Sequence, residues 1–143
     1  MKDVRKDRPL PAIVVSKDNH KRIIDLALGV EDKAPEVARV LLSEMDRARV
    51  VGAVPSSTVQ MGSTIAFRTE AGQERKVSLV YPGEADIALN RVSILTPIGA
   101  ALIGLSAGQS IAWSARDGRQ QTLTVLVVEP PAARTEELQL QTV

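Results

Sequence analysis

At 143 residues the chain is one ordinary domain, or one small domain with an appendage. Apolar residues make up 44% of it but aromatic residues only 2%, so the core must be built from Val, Ile, Leu and Ala. A formal net charge of +1 gives no field for gripping nucleic acid, Phe67, Tyr81 and Trp113 are the only rings to stack on bases, and the lack of cysteine removes disulfides, thiolate catalysis and cysteine-based zinc sites.

Residues 1–12 mix Lys, Arg and Asp with Pro9 and Pro11 and read as a flexible N-terminus, without the apolar stretch of a signal peptide. Nowhere do enough apolar residues run together to span a bilayer. A cytoplasmic protein without direct sequence-specific nucleic-acid binding and without a membrane partner is the expectation, and a monomer.

After the apolar run Ile13–Val15, Ser16 is a good N-cap, and Lys17–Leu28 reads as a helix with Asp18 in its first turn and Gly29 as its stop. His20, Ile23, Ile24, Ala27 and Leu28 recur at helical spacing. Glu31, Asp32 and Lys33 form the turn, and Pro35 suits the first position of a second helix running to Arg49. There Val37, Val40, Leu41, Met45 and Ala48 make the apolar stripe, with Glu36, Arg39, Glu44 and Arg47 on the wet face. Residues 13–50 are thus expected to form a short antiparallel hairpin, its helices on the order of 18 and 22 Å long.

Val50–Thr58 reads as linker, and beyond it the period changes from helical to alternating. Thr64–Thr69 reads as a strand with Ile65 and Phe67 inward, and Arg75–Tyr81 as its partner with Val77, Leu79 and Tyr81 on one face. Val92–Leu95 is a further apolar run, Pro97 starts a short apolar helix ending at Gly104, and Ser110–Ala115 with Thr122–Val128 forms a last hairpin around Asp117-Gly118. Trp113 is expected to be largely buried against that helix. Residues 51–131 make the second unit, an antiparallel sheet with one short helix, and 132–143 a flexible tail. The fold class is α+β.

No catalytic constellation assembles. His20 is the only histidine and is read as a helix-surface or hairpin-packing residue. Glu84 and Asp86 in a loop are read as solvated, and no Lys-Ser or Lys-Thr pair follows Gly99 or Gly104 to make a phosphate loop. The residues alone therefore point to binding without a catalytic site, metal or cofactor.

Met61-Gly62-Ser63 opening a strand, Glu84-Ala85-Asp86 in a loop, and Val92–Pro97 running into Gly99-Ala100-Ala101-Leu102 follow in order, with Gly108 and a closing hairpin at Gly118. This resembles the C-terminal domain of Gre-type transcript cleavage factors, a fold like that of FK506-binding proteins. Leu79–Pro82, Pro97–Leu102, Trp113 and the upstream Met45-Asp46-Arg47-Ala48 resemble one branch more closely, the nucleoside diphosphate kinase regulator (Rnk) family. In Gre-type factors a long N-terminal coiled coil enters the secondary channel of RNA polymerase, acidic residues at its tip help hold a catalytic magnesium ion, and the C-terminal domain docks at the channel rim.

The resemblance implies RNA polymerase as partner, with Leu95, Thr96, Pro97 and Ile98 as docking edge and Glu31 and Asp32 as an optional tip contact. Two departures stand out: the hairpin is far shorter than that coiled coil, and the acidic residue that precedes the Ser-Pro pair of Gre factors is here Leu95, before Thr96-Pro97. The expected function is to occupy the channel entrance and regulate transcription without cleaving the transcript. Alternatives are an adaptor for another protein and a peptidyl-prolyl isomerase, the latter opposed by too few rings to line a proline-binding bowl.

Overall fold

The computed structural model describes residues 10–115 and 117–131. The expectations for 1–9 and for the tail from 132 lie outside these residues.

Helix α1 (Lys17–Gly29) begins where Ser16 Oγ accepts a hydrogen bond from Asn19 N at 3.1 Å. Helix α2 (Pro35–Arg47) begins at its proline, with no side chain capping it. The two pack on each other through Ile23 and Ala27 of α1 and Ala38, Leu41 and Met45 of α2, all buried. His20 Nε2 lies 3.0 Å from the Met45 carbonyl oxygen, so this ring ties α1 to the last turns of α2, a hairpin-packing role.

Two readings of the hairpin faces need correction. Leu28 is 51% exposed and does not join the stripe. Glu44, expected on the wet face, is 5% exposed. Its carboxylate accepts from Arg47 Nε at 2.7 Å and Arg47 Nη2 at 2.9 Å, and Arg47 Nη1 reaches the Pro11 carbonyl. Burial of the charge is tolerated because the guanidinium fork satisfies both oxygens.

The expected linker starts as a strand. β1 (Val14–Ser16) and β2 (Arg49–Val51) pair in parallel, closing the base of the hairpin. Val14 N also donates to Gly104 O at 3.1 Å, which stitches the hairpin's entry to the second half of the chain. Gly104 sits at φ +81, and a Cβ there would press on Ile13 and the Val14 carbonyl.

A five-stranded sheet follows: β3 (Thr64–Thr69), β4 (Glu74–Val80), β5 (Arg91–Ser93), β6 (Ser110–Ser114) and β7 (Gln120–Glu129), in the order β5-β4-β3-β7-β6. Ile65 and Phe67 point inward as the alternation demands. The sheet is mixed rather than purely antiparallel, since β4 and β5 pair in parallel. The link between them, through short 3₁₀ turns at Pro82–Glu84 and Ile87–Leu89, returns β5 to the same end as β4. Tyr81 lies just past β4 instead of within it. Helix α3 (Pro97–Leu102) is capped by Thr96 and packs on both β6 and α2. Hairpin and sheet share one core, in which Ile13, Ala27 and Leu41 join Ile65, Leu79 and Leu102.

Candidate functional site

The expected docking residues fall on the turn from β5 into α3. Ser93 organises it. Its carbonyl accepts from Thr96 N at 3.1 Å and Thr96 Oγ1 at 2.7 Å, and its hydroxyl accepts from Leu95 N at 2.9 Å. Thr96 Oγ1 in turn accepts from Gly99 N at 3.1 Å, the N-cap bond of α3. With Ser93 buried and Leu95, Thr96, Pro97 and Ile98 all half-buried, the turn presents a firmly held, mostly apolar edge. Thr96 thus has a structural duty that sequence reasoning did not assign to it.

Glu31 and Asp32 are exposed in the loop between α1 and α2, at the end of the hairpin remote from β1 and β2. Among the described residues neither forms an ion pair. Glu84 and Asp86 are exposed too, and Asp86 Oδ1 accepts from Ala88 N at 3.0 Å, capping a 3₁₀ turn. Among the described residues no group of three or more His, Cys, Asp or Glu is placed to hold a metal ion. Among the described residues no helix is long and apolar enough to cross a membrane.

Two features escaped sequence reasoning. The first joins hairpin to sheet: Asn19 Nδ2 donates to Tyr81 OH at 3.4 Å, Asn19 Oδ1 accepts from Met61 N at 3.2 Å, and the Arg22 guanidinium stacks 4.1 Å from the Tyr81 ring centroid. Burial raises the Tyr81 pKa above 10.0, against the opposing pull of Arg22. The polar residues Asn19 and Arg22 on the α1 surface were the only signal.

The second is a groove between α2 and β6, floored by α3. Trp113 lines it and is half-buried, rather than largely buried against α3 as expected. The ring still packs against the core, but α2 does not close over it, which leaves the indole partly open to solvent.

Residues 54–130 match the family described as Transcription elongation factor, GreA/GreB, C-term, and residues 11–51 match Rnk N-terminus. The chain is 34% identical over 128 residues to the Regulator of nucleoside diphosphate kinase of Escherichia coli (strain K12), covering 86% of the chain and 94% of that protein. It is 28% identical over 75 residues to Transcription elongation factor GreA of Thermosipho melanesiensis, covering 52% of the chain and 48% of that longer protein. The solved structure of a prokaryotic transcription elongation factor GreA/GreB from Nitrosomonas europaea superposes with a TM-score of 0.66 at 32% identity, over 82% of the chain and 98% of that structure.

Proposed function

The chain belongs to the Rnk family, which shares its C-terminal part with GreA/GreB elongation factors, and on that premise we propose that it binds RNA polymerase and regulates transcription. It docks by the Leu95–Ile98 edge at the rim of the secondary channel, acts as a cytoplasmic monomer without cofactor, and does not cleave the transcript. The observation that carries the last point is hairpin length. Each helix has 13 residues, about 20 Å at 1.5 Å per residue, so Glu31 and Asp32 stop well short of where a long coiled coil delivers its tip. A second metal ion in a polymerase site needs carboxylates aimed at it from close by.

The likeness to FK506-binding proteins belongs to this reading as architecture only. Phe67 is 1% exposed inside the core and Tyr81 is engaged by Arg22, which leaves Trp113 alone on the groove. One ring does not line a proline bowl.

Retention of core RNA polymerase on the immobilised protein tests the reading, and its absence sinks it. The double variant Thr96→Asp/Pro97→Ala tests the edge. Aspartate keeps the N-cap acceptor for Gly99 N but cannot donate to the Ser93 carbonyl as Thr96 Oγ1 does, so circular dichroism must show that α3 survives. Affinity should fall at least about tenfold, or 1.4 kcal/mol. Undiminished affinity of the folded variant removes the edge from the interface.

A further inference from the structure

We propose that the groove between β6 and α2 receives an extended polypeptide segment of a partner protein, which adds as a further strand to the open edge of the sheet. This goes beyond the rim-docking reading, because it concerns a different mode of recognition and holds whichever protein supplies the segment.

The edge itself is the first observation. Among the described residues β6 ends the sheet and pairs only with β7. Val125 N donates to Gln109 O at 2.9 Å and Ala115 N to Arg119 O at 3.0 Å, so in the register Ile111↔Leu123 and Trp113↔Gln121 the odd-numbered residues bond to β7. Antiparallel pairing alternates, hence the main-chain groups of Ala112 and Ser114 face away from β7. Residues of both parities, Ile111 through Ala115, line the groove, as an edge seen side-on requires. Proteins protect such edges with charge, proline or shortness. The opposite edge, β5, is three residues long and starts with Arg91. β6 reads Ser-Ile-Ala-Trp-Ser, with none of those guards. At its start the edge is closed off, since Gln109 Nε2 donates to Ala12 O at 3.0 Å.

The groove beside that edge suits one strand. Both α2 and β6 pack on α3, and Ala100 and Ala101 keep the floor low enough for a main chain to settle. Val37, Val40 and Trp113 offer apolar contact to every second side chain. The space, about 930 Å³, falls at the upper end of the roughly 300–1,000 Å³ typical of ligand sites, enough for a short segment.

Charge defines the segment further. Of the carboxylates on the groove, Glu44 is tied to Arg47 and Asp117 to Arg119 at 3.2 Å. Lys33 and Arg39 form no ion pair among the described residues; of the carboxylates that line the groove Glu36 opposes them, with Glu31 and Asp32 exposed in the loop just before Lys33. Two cations without an ion pair among the described residues thus stand on the α2 side of the groove, and the uncapped N-terminus of α2 adds partial positive charge there. The occupant alternates apolar and polar residues and carries an acidic side chain toward α2.

The test selects a random decapeptide library on phage against the full-length protein, then synthesises the enriched sequences. Trp113 is the only tryptophan, so its emission reports occupancy directly. Enriched peptides should alternate, carry an acidic residue, and shift the emission to the blue saturably. N-methylation of alternate peptide amides should weaken binding at least about tenfold, because it removes the strand's hydrogen bonds. So should Ala112→Pro, tolerable for the fold on an edge whose N–H faces away from its neighbour. No enrichment, or enriched peptides that bind equally well after N-methylation, overturns the proposal even if Ala112→Pro fails to fold.

Discussion

Gly99 packs directly against the backbone of Ser93: a Cβ on Gly99 would overlap the Ser93 carbonyl oxygen and crowd the Ile94 Cα. The same carbonyl takes both hydrogen bonds from Thr96, so the start of α3 is pressed onto the end of β5. Glycine inside a helix ordinarily costs about 0.5–1 kcal/mol relative to alanine. Here the sign reverses, because the obstacle is backbone and has no rotamer to move. Gly99→Ala should destabilise by about 3 kcal/mol, the upper part of the overpacking range, read as a lower urea midpoint at unchanged slope. A stabilised variant would mean that α3 can lift off β5.

For Trp113 the expectation moves with its position. A fully buried large aromatic truncated to alanine costs about 3–5 kcal/mol. Half-buried on the groove, Trp113→Ala should cost about 1–2 kcal/mol, with parent emission between buried and free tryptophan and partial quenching by iodide. Complete protection from iodide would show that α2 closes over the groove in solution.

Tyr81 supplies a pH prediction. Its pKa is raised by burial above the model-peptide value of 10.0. Between the unfolded and folded values the native state holds the proton more tightly than the unfolded chain. The contribution is therefore fully present below pH 10 and is lost as pH rises through the folded value. As the only tyrosine, Tyr81 can be followed by tyrosinate absorbance, whose midpoint should lie above 10.0 in the native protein and near it in urea. Tyr81→Phe should flatten the alkaline fall in stability relative to the parent, and an equal fall in both would assign it to other groups.

Much of this was legible because it is local. Ser16 as cap, Pro35 at the head of α2, and the inward Ile65 and Phe67 all follow from neighbours a few residues away. What was misread depends on distant partners. β1 and β2 have three residues each, too few to show a period, and are paired only through the hairpin they flank. Nothing near β5 announces that it runs parallel to β4. Glu44 sits where helical spacing says water, and its burial goes with Arg47, which holds its carboxylate and reaches across to the Pro11 carbonyl. The resemblance singles out Leu95–Ile98 as a candidate edge, whereas the duties of Ser93 and Thr96 lie in hydrogen bonds across the turn that no local pattern announces.

The last prediction separates a binder from a cleavage factor. A cleavage factor must place carboxylates on a metal ion deep in a channel, and helices of 13 residues give the tip about 20 Å of reach. The protein should therefore bind polymerase without stimulating magnesium-dependent cleavage of a backtracked transcript. Added beside a true cleavage factor it should inhibit, in a concentration-dependent way that excess cleavage factor relieves, because both would occupy one entrance. Glu31→Ala with Asp32→Ala closes the remaining route: both side chains are exposed at the tip, so their loss should leave fold and inhibition unchanged. Robust cleavage by the parent that disappears in the double variant would defeat the length argument and assign the tip acids a catalytic part. Inhibition that excess cleavage factor fails to relieve would instead place the binding site away from the channel entrance.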